Sequence, residues 1–253
     1  LMGSVGYRKG LDNNLVVSRN LKSVMAASYR SIRTNLNFLT EGKDKLKILV
    51  TSSISGEGKT FTSINLAAIY AAGGKRTVIL GADLRKPKIY QDFGLSNTVG
   101  LSTYLIHKGG VEDIVQTTKV EYLDLISAGP IPPNPAELIE SERMNQLMQE
   151  LEQVYDIIII DSPPLGLVTD SLLLKKYFDA GLYIVRHNYT KQHHLKNVNQ
   201  LYSDGVLSKI GIVVNAVKQK SGLGYGGNYG YGYGYGYGYG YGYGYGYYTE
   251  DKS

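Results

Sequence analysis

The sequence of 253 residues contains no cysteine, no tryptophan and only four phenylalanines. Disulfides and thiolate metal sites both require cysteine, so its absence excludes a disulfide framework and a Cys-ligated metal centre, and it suits a reducing cytoplasm. No apolar run approaches the roughly 20 residues that a transmembrane helix needs, and no signal peptide is visible. These absences predict a cytoplasmic location.

Charge is also modest, because 27 Lys and Arg against 22 Asp and Glu leave a net charge of +5. Scattered basic residues of this kind are typical of a solvated surface, and the sequence does not favour nucleic-acid binding. The length allows one sizeable α/β domain with a proper core, plus an appendage.

Glycine and tyrosine, by contrast, are abundant, with 31 and 23 copies, and many of them lie near the C-terminal end. Tyr-Gly repeats run from Gly230 to Tyr247. Such a segment has no aliphatic residues to bury and a high backbone entropy, which predicts a disordered tail over residues 219–253. Composition alone leaves open a sticky low-complexity tail that associates through aromatic contacts.

Apolar strands alternate with helices along the rest of the chain. Strands that are apolar throughout indicate a mostly parallel sheet with helices on both faces, as in P-loop NTPases. The predicted strands are 47–52, 76–80, 123–127, 155–161, 181–187 and 209–214. The predicted helices are 22–39, 59–70, 101–107, 135–154, 169–178 and 191–204.

The eight residues SISGEGKT, 53–60, join the first of these strands to a helix. They fit the phosphate-binding loop, except that the first of them is Ser where Gly is usual. Gly56 and Gly58 let the backbone approach phosphate oxygens, while the N–H groups of the loop and of the helix N-terminus attract them. Lys59 would reach the β- and γ-phosphates, and the Thr60 hydroxyl would bind Mg²⁺.

Polar side chains follow other strands at the edge where ligands bind in parallel sheets. Asp161 follows four consecutive Ile, which is the arrangement of a Walker B carboxylate, although an ordinary strand-terminal Asp would look the same. Asp83 is a second metal candidate or a turn residue, and Arg85 would contact phosphate or pair with Asp83. Asn215 is a candidate for recognising the base, or a turn-forming Asn.

Four segments together resemble the bacterial tyrosine kinase (BY-kinase) family of capsular and exopolysaccharide assembly: SISGEGKT, ADLRKP, GPIPPNPAEL and YDIIIIDSPP. With the tyrosine-rich end, the likeness covers roughly residues 22–248. It implies transfer of a phosphoryl group from ATP to tail tyrosines, in trans within a ring of subunits. It also implies a transmembrane modulator of the polysaccharide co-polymerase type, which would bring the kinase to the membrane, and a cognate phosphotyrosine phosphatase.

Site residues follow from the same resemblance. Lys59 and Thr60 match the Walker A site, Asp83 the Walker A′ site and Asp161 the Walker B site. The residues expected to be catalytic are Lys59, Asp83, Arg85 and Asp161. The residues expected to bind Mg²⁺ are Thr60, Asp83 and Asp161. The residues expected to bind ATP or ADP are Ser55, Gly56, Glu57, Gly58, Lys59, Thr60, Phe61 and Asn215. The expected phosphoacceptors are Tyr225, Tyr229, Tyr231, Tyr233, Tyr235, Tyr237, Tyr239, Tyr241, Tyr243, Tyr245, Tyr247 and Tyr248.

Two positions depart from the family pattern. Gly81 stands where the family usually has an Asp, a proposed base for the attacking tyrosine, so its absence predicts nucleotide binding with weakened transfer. Ala27 replaces the Glu of the E-x-x-R-x-x-R oligomerisation motif. Its partners Arg30 and Arg33 would then lack a carboxylate, which puts ring assembly in doubt.

The predicted division of the chain has three parts: an N-terminal extension (1–20), a P-loop kinase domain (21–218) and the tail (219–253). The extension lacks clear periodicity and is interpreted as a modulator fragment, for which Val5–Gly10 is the candidate, or as an expression-derived segment. Two other functions compete with the kinase: a partition or positioning ATPase, and a nucleotide-binding scaffold. Against the first, Ile54 stands where those ATPases usually carry a signature Lys.

Overall fold

The computed structural model describes residues 1–8, 10, 14–165, 170–203, 205 and 209–218. Its strands are β1 (Gly3–Gly6), β2 (Leu46–Ser52), β3 (Thr77–Gly81), β4 (Val115–Thr117), β5 (Leu123–Ile126), β6 (Ile157–Asp161), β7 (Ala180–Arg186) and β8 (Ile210–Val217). Its helices are α1 (Val24–Leu39), α2 (Lys59–Ala71), α3 (Ile89–Phe93), α4 (Leu101–Leu105), α5 (Val111–Ile114), α6 (Pro135–Glu140), α7 (Glu142–Val154), α8 (Asp170–Leu173) and α9 (Gln192–Ser203). Short 3₁₀ turns cover Val17–Arg19 and Leu174–Tyr177.

The eight strands form one sheet in the order β1-β8-β7-β2-β6-β3-β5-β4. Neighbouring strands are parallel, apart from the antiparallel pair of β4 with β5. The strand that precedes the P-loop, β2, lies in the middle of the sheet between β6 and β7. The predicted mostly parallel, P-loop NTPase-like fold is therefore confirmed.

The four isoleucines of β6 show how the sheet is covered on both faces. Alternate side chains of a strand point to opposite faces, and all four are buried. Ile157 and Ile159 pack in the same apolar cluster as α1 and α2, whereas Ile158 and Ile160 pack with α4, α6 and α7. Burial on both faces explains why this strand is apolar throughout.

Two predicted helices differ from the structure. The single helix expected over 135–154 is divided into α6 and α7, because Ser141 adopts an extended conformation and its hydroxyl caps α7 by accepting a hydrogen bond from the Met144 N–H. The helix expected over 169–178 consists of the short α8 and a 3₁₀ turn. Among the described residues, none of the helices combines the length and the apolar character that crossing a membrane requires.

The N-terminal segment contributes an edge strand that sequence periodicity does not reveal. β1 pairs in parallel with β8, and the Met2 N–H donates to the Ile212 carbonyl at 2.7 Å. Val5 is fully buried, and Asn35 on α1 donates to the Met2 carbonyl at 2.8 Å. This segment thus packs as part of the sheet, and its origin as a modulator fragment stays a prediction.

Helix α1 carries the incomplete oligomerisation motif. Arg30 donates to the Leu21 carbonyl at 2.7 Å, and Arg33 donates to the Ile69 carbonyl at 3.2 Å. Both guanidinium groups therefore have partners within the chain, in spite of the missing carboxylate at Ala27. The effect of Ala27 on ring assembly, in which these arginines would face a second subunit, stays a prediction.

Candidate active site

Two glycines shape the loop between β2 and α2. Gly56 and Gly58 have φ angles of +85° and +99°, in the region that glycine adopts most easily. A Cβ atom on Gly58 would lie 1.9 Å from the Nδ2 atom of Asn215. Glycine at position 58 is thus required both by the backbone conformation and by the approach of a buried amide.

The backbone N–H groups of this loop are available to a ligand. Within the described part of the chain, no intramolecular hydrogen bond engages the N–H groups of Gly56, Glu57 or Gly58. Among the described residues, the N–H groups of the first three residues of α2 also have no partner, as is usual at a helix N-terminus. An array of unpaired amides around a glycine-rich turn is suited to bind phosphate.

Lys59 begins α2 and supplies a buried cation to the site. Its side chain is buried, with the residue 8% exposed. Burial lowers the pKa of the ammonium group, while the nearby carboxylates of Asp161, Asp83 and Glu57 oppose this shift. A desolvated ammonium attracts an incoming anion more strongly than a solvated one does, because the effective dielectric constant around it is lower.

Asp161, at the end of β6, joins two hydroxyl groups of α2. Its carboxylate accepts hydrogen bonds from Thr60 at 2.8 Å and from Ser63 at 3.0 Å. Burial raises the pKa of Asp161 to about 6, against the lowering effects of Lys59 and of both hydroxyl donors. Asp161 is only 4% exposed, and a nearby divalent cation would favour the ionised form of its carboxyl group.

The donor set fits Mg²⁺, which prefers oxygen ligands and is usually held by one or two protein groups plus substrate phosphates. The Thr60 hydroxyl and the Asp161 carboxylate are such groups. Among the described residues, no cluster of three His, Cys, Asp or Glu is arranged to hold a metal ion. Phosphate and water oxygens would therefore have to complete the coordination of the ion.

Asp83 follows β3 and serves a local turn. Its Oδ1 atom accepts hydrogen bonds from the N–H groups of Arg85 at 3.2 Å and Lys86 at 3.0 Å. Asp83 and Arg85 also line the cavity beside the loop. The turn interpretation is thus supported by these bonds, and the metal and phosphate roles of the two residues stay predictions.

A cavity of about 340 Å³ lies at this edge of the sheet. Of the predicted site residues, it is lined by Ser55, Gly56, Gly58, Lys59, Thr60, Phe61, Asp83, Arg85 and Asp161. Glu57 and Asn215 are buried behind the loop: the Glu57 carboxylate accepts from the Ile54 N–H at 2.8 Å, and Asn215 donates to the Glu57 carbonyl at 2.9 Å. Their predicted contacts with the nucleotide stay predictions, and the tail tyrosines lie outside the described residues.

Sequence reasoning missed several residues of the site. Ser63 lies three positions after Thr60 on a helix, so helical spacing could have placed it beside the same carboxylate. Asn14 lines the cavity and is held by hydrogen bonds to Asp92 and Asn65. The contacts of Asn14 join residues that are far apart in the sequence, so no local sequence pattern predicts them.

Comparisons with known proteins agree on one family. Residues 46–203 match the family described as an AAA domain. The tyrosine-protein kinase YwqD of Bacillus subtilis (strain 168) is 34% identical over 216 residues, which are 85% of this chain and 91% of YwqD.

Solved structures give the same result. The crystal structure of the chimerical protein CapA2B2 matches with a TM-score of 0.80 and 33% identity, over 87% of this chain and 95% of that one. The kinase domain of the Escherichia coli tyrosine kinase ETK matches with a TM-score of 0.79 and 26% identity, over 90% and 94% of the two chains. The chain is therefore a P-loop enzyme that belongs to the family of bacterial tyrosine-protein kinases.

Proposed function

We propose that the enzyme transfers the γ-phosphoryl group of Mg²⁺-bound ATP to tyrosines of its own C-terminal segment and thereby regulates the synthesis of a capsular or extracellular polysaccharide. The observation that carries this proposal is the contact between Thr60 and Asp161, at 2.8 Å, beside a loop in which the N–H groups of residues 56–58 have no hydrogen-bond partner among the described residues. This pairing supports a site for a metal-bound triphosphate. The names of the relatives support tyrosine as the acceptor.

Each group then has a distinct task in phosphoryl transfer, which depends mainly on positioning and charge stabilisation. The loop amides and Lys59 hold the β- and γ-phosphates. Thr60 and Asp161, with Asp83, would hold Mg²⁺, which would neutralise charge that develops on the phosphate oxygens. Arg85, which lines the same cavity, would contact the transferring group.

The position of the C-terminal segment favours its use as a substrate. β8 ends at Val217, two residues after Asn215 contacts the loop, so the last described residue, Lys218, lies at the edge of the sheet that carries the site. A flexible chain as long as residues 219–253 would explore on the order of 30 Å, which is enough to reach a second copy of the chain. We therefore propose transfer in trans to the twelve tyrosines between positions 225 and 248.

Phosphorylation would also reverse the charge of the chain. Each phosphate adds about −1.5 to −2 charges, so three or four of them overturn the net charge of +5. Like-charge repulsion between phosphorylated tails would then separate the subunits of an oligomer. The proposed partners are a membrane-embedded modulator, which would place the kinase at the membrane, and a phosphatase that removes the phosphates.

Labelled ATP tests the proposal with two full-length variants. The donor carries Phe at all twelve tail tyrosines, and the acceptor is Lys59→Met with an intact tail. Incubated together with Mg²⁺ and [γ-³²P]ATP, they are expected to give label on the acceptor's tail, because the donor's site phosphorylates it in trans. Free phosphate alone would instead indicate a positioning-type ATPase, and neither product would indicate a scaffold.

Restoring the family carboxylate at Gly81 is expected to raise the initial rate of tail phosphorylation at least about tenfold, because base catalysis typically contributes ~10²–10⁴-fold. Gly81 lies beside Asp161 across the sheet and lines the cavity. A Cβ atom there would lie 3.2 Å from the Ala128 nitrogen and 3.3 Å from the Ile126 carbonyl oxygen. The side chain therefore fits only after neighbours move by a few tenths of an ångström.

The matched control for Gly81→Asp is Gly81→Ala, which adds the same Cβ atom without a carboxylate. Gly81→Ala should lose a small amount of thermal stability and Gly81→Asp a larger one, because the latter adds a second carboxylate beside buried Asp161. Only the Asp variant should gain activity. Equal rates of phosphotyrosine formation in the two variants would contradict this account of position 81.

A further inference from the structure

Three successive carbonyl groups of the phosphate-binding loop accept hydrogen bonds from side chains of β7, β8 and the segment after β7. The Tyr189 hydroxyl donates to the Ser55 carbonyl at 3.1 Å, and the Arg186 guanidinium donates to the Gly56 carbonyl at 2.8 Å. The third donor is Asn215, whose amide donates to the Glu57 carbonyl at 2.9 Å. These donors lie at or just beyond the C-terminal ends of two neighbouring strands, and all their acceptors lie in one short turn.

The direction of the carbonyl groups determines the direction of the amides. In a planar trans peptide, the C=O of one residue and the N–H of the next point in opposite directions. Because the carbonyl groups of residues 55–57 point toward these donors, the N–H groups of Gly56, Glu57 and Gly58 point away from them. These are the same N–H groups that no intramolecular hydrogen bond engages within the described part of the chain.

We propose that Arg186, Tyr189 and Asn215 form a P-loop latch, a set of positioning residues that holds the loop's amides in the phosphate-binding orientation before nucleotide arrives. Without these donors, rotation of a peptide group would bring a carbonyl oxygen toward the phosphates and repel them. Fixed dipoles bind a charged ligand more tightly than dipoles that must reorient, because the cost of ordering is already met. The inference rests on the proposed nucleotide-binding function.

The latch has one rigid and one accessible part. Asn215 is 7% exposed, and its Oδ1 atom also accepts from the Ala216 N–H at 2.8 Å, so both ends of its amide are fixed. Tyr189 is 45% exposed, and the guanidinium of Arg186 lies 5.0 Å from its ring centroid, which aligns the two donors with each other. Arg186 and Tyr189 can therefore be changed with little effect on the core.

The carboxylate of Glu57 reinforces the same arrangement. It accepts from the Ile54 N–H and contacts the Thr190 hydroxyl, four residues after Arg186. The Thr190 hydroxyl also accepts from the Arg186 N–H at 2.8 Å. The end of β7 and the segment after it thus contact both the carbonyl groups of the loop and the carboxylate of Glu57.

Nucleotide binding to the full-length chain tests the latch. Arg186→Met is expected to raise the Kd for Mg²⁺-ADP about tenfold, because it removes a charge-assisted hydrogen bond, and Tyr189→Phe about threefold. Arg186→Lys should recover part of the loss. The matched control is His187→Gln, an exposed residue of the same segment, which should bind as the wild type does.

A second ligand separates positioning of the loop from general loss of structure. Pyrophosphate contacts only the phosphate-binding part of the site, so its Kd should rise in each variant by the same factor as the Kd of ADP. The melting temperature of each ligand-free variant should differ from that of the ligand-free wild type by less than the increase that ADP produces in the wild type. Unchanged Kd values in Arg186→Met and Tyr189→Phe would overturn the latch alone. Failure of the wild type to bind Mg²⁺-ADP would instead overturn the proposed function.

Discussion

Replacement of Lys59 by Met is expected to lower the initial rate of tyrosine phosphorylation about 10³-fold, since loss of one preorganised charge or donor from an active site typically costs ~10²–10³-fold. Met keeps a similar length and an apolar stem but removes the ammonium group proposed to hold the β- and γ-phosphates. That group is buried and lies near the carboxylates of Asp161 and Asp83. In such a desolvated position, a charge interacts more strongly with the transferring phosphoryl group than it would in water.

The Lys59→Met chain should still fold, because the carboxyl group of Asp161 can protonate once its cationic neighbour is lost. Lys75→Met is the matched control. Lys75 precedes β3, at the opposite edge of the sheet, and its exposed ammonium lies 3.7 Å from Asp44. A phosphotyrosine assay in which Lys59→Met retained the rate of Lys75→Met would contradict the assignment of the phosphate site.

Local signals in the sequence predicted the centre of this molecule well. The run of isoleucines before Asp161 and the apolar residues before the loop predicted β6 and β2, and the glycines with Lys59 predicted the turn and the start of α2. In each case the residues that form the element are adjacent in sequence, and their burial on both faces requires an apolar composition. The approach of Asp161 to Thr60 follows from the parallel arrangement of the two strands.

Features that depend on distant contacts could not be predicted in this way. β1 exists because its backbone pairs with β8, some 200 residues later, and its four residues carry no alternation of their own. Arg30 and Arg33 have backbone partners that only the folded chain brings near them. Asn215 shows both a local and a distant feature. Its place near the end of a strand was predicted, whereas its hydrogen bond to the loop was not.

Replacement of Asp161 by Asn is expected to change activity and stability in opposite directions. The rate of phosphoryl transfer should fall about 10²–10³-fold, because an amide is a much weaker ligand for Mg²⁺ than a carboxylate. Without metal or nucleotide at pH 8, however, the variant should unfold at higher denaturant concentration than the wild type. Asn can still accept a hydrogen bond from Thr60 or Ser63, and it removes a buried charge whose desolvation outweighs its attraction to Lys59.

The pH dependence gives the sign of this effect. Burial raises the pKa of Asp161 from 3.8 to about 6 in the folded protein, so folding favours the protonated carboxyl. The protonated carboxyl stabilises the folded state fully below about pH 4, and this stabilisation is lost as the pH rises through 6. The free energy of unfolding should fall by about 2–3 kcal/mol, at about 1.36 kcal/mol per pKa unit. Urea unfolding in EDTA from pH 4 to 8 should show this loss in the wild type and not in Asp161→Asn. If the free energies of unfolding of the two proteins changed with pH in the same way, ionisation of Asp161 would cost no stability, which would contradict a buried carboxylate that needs a bound cation.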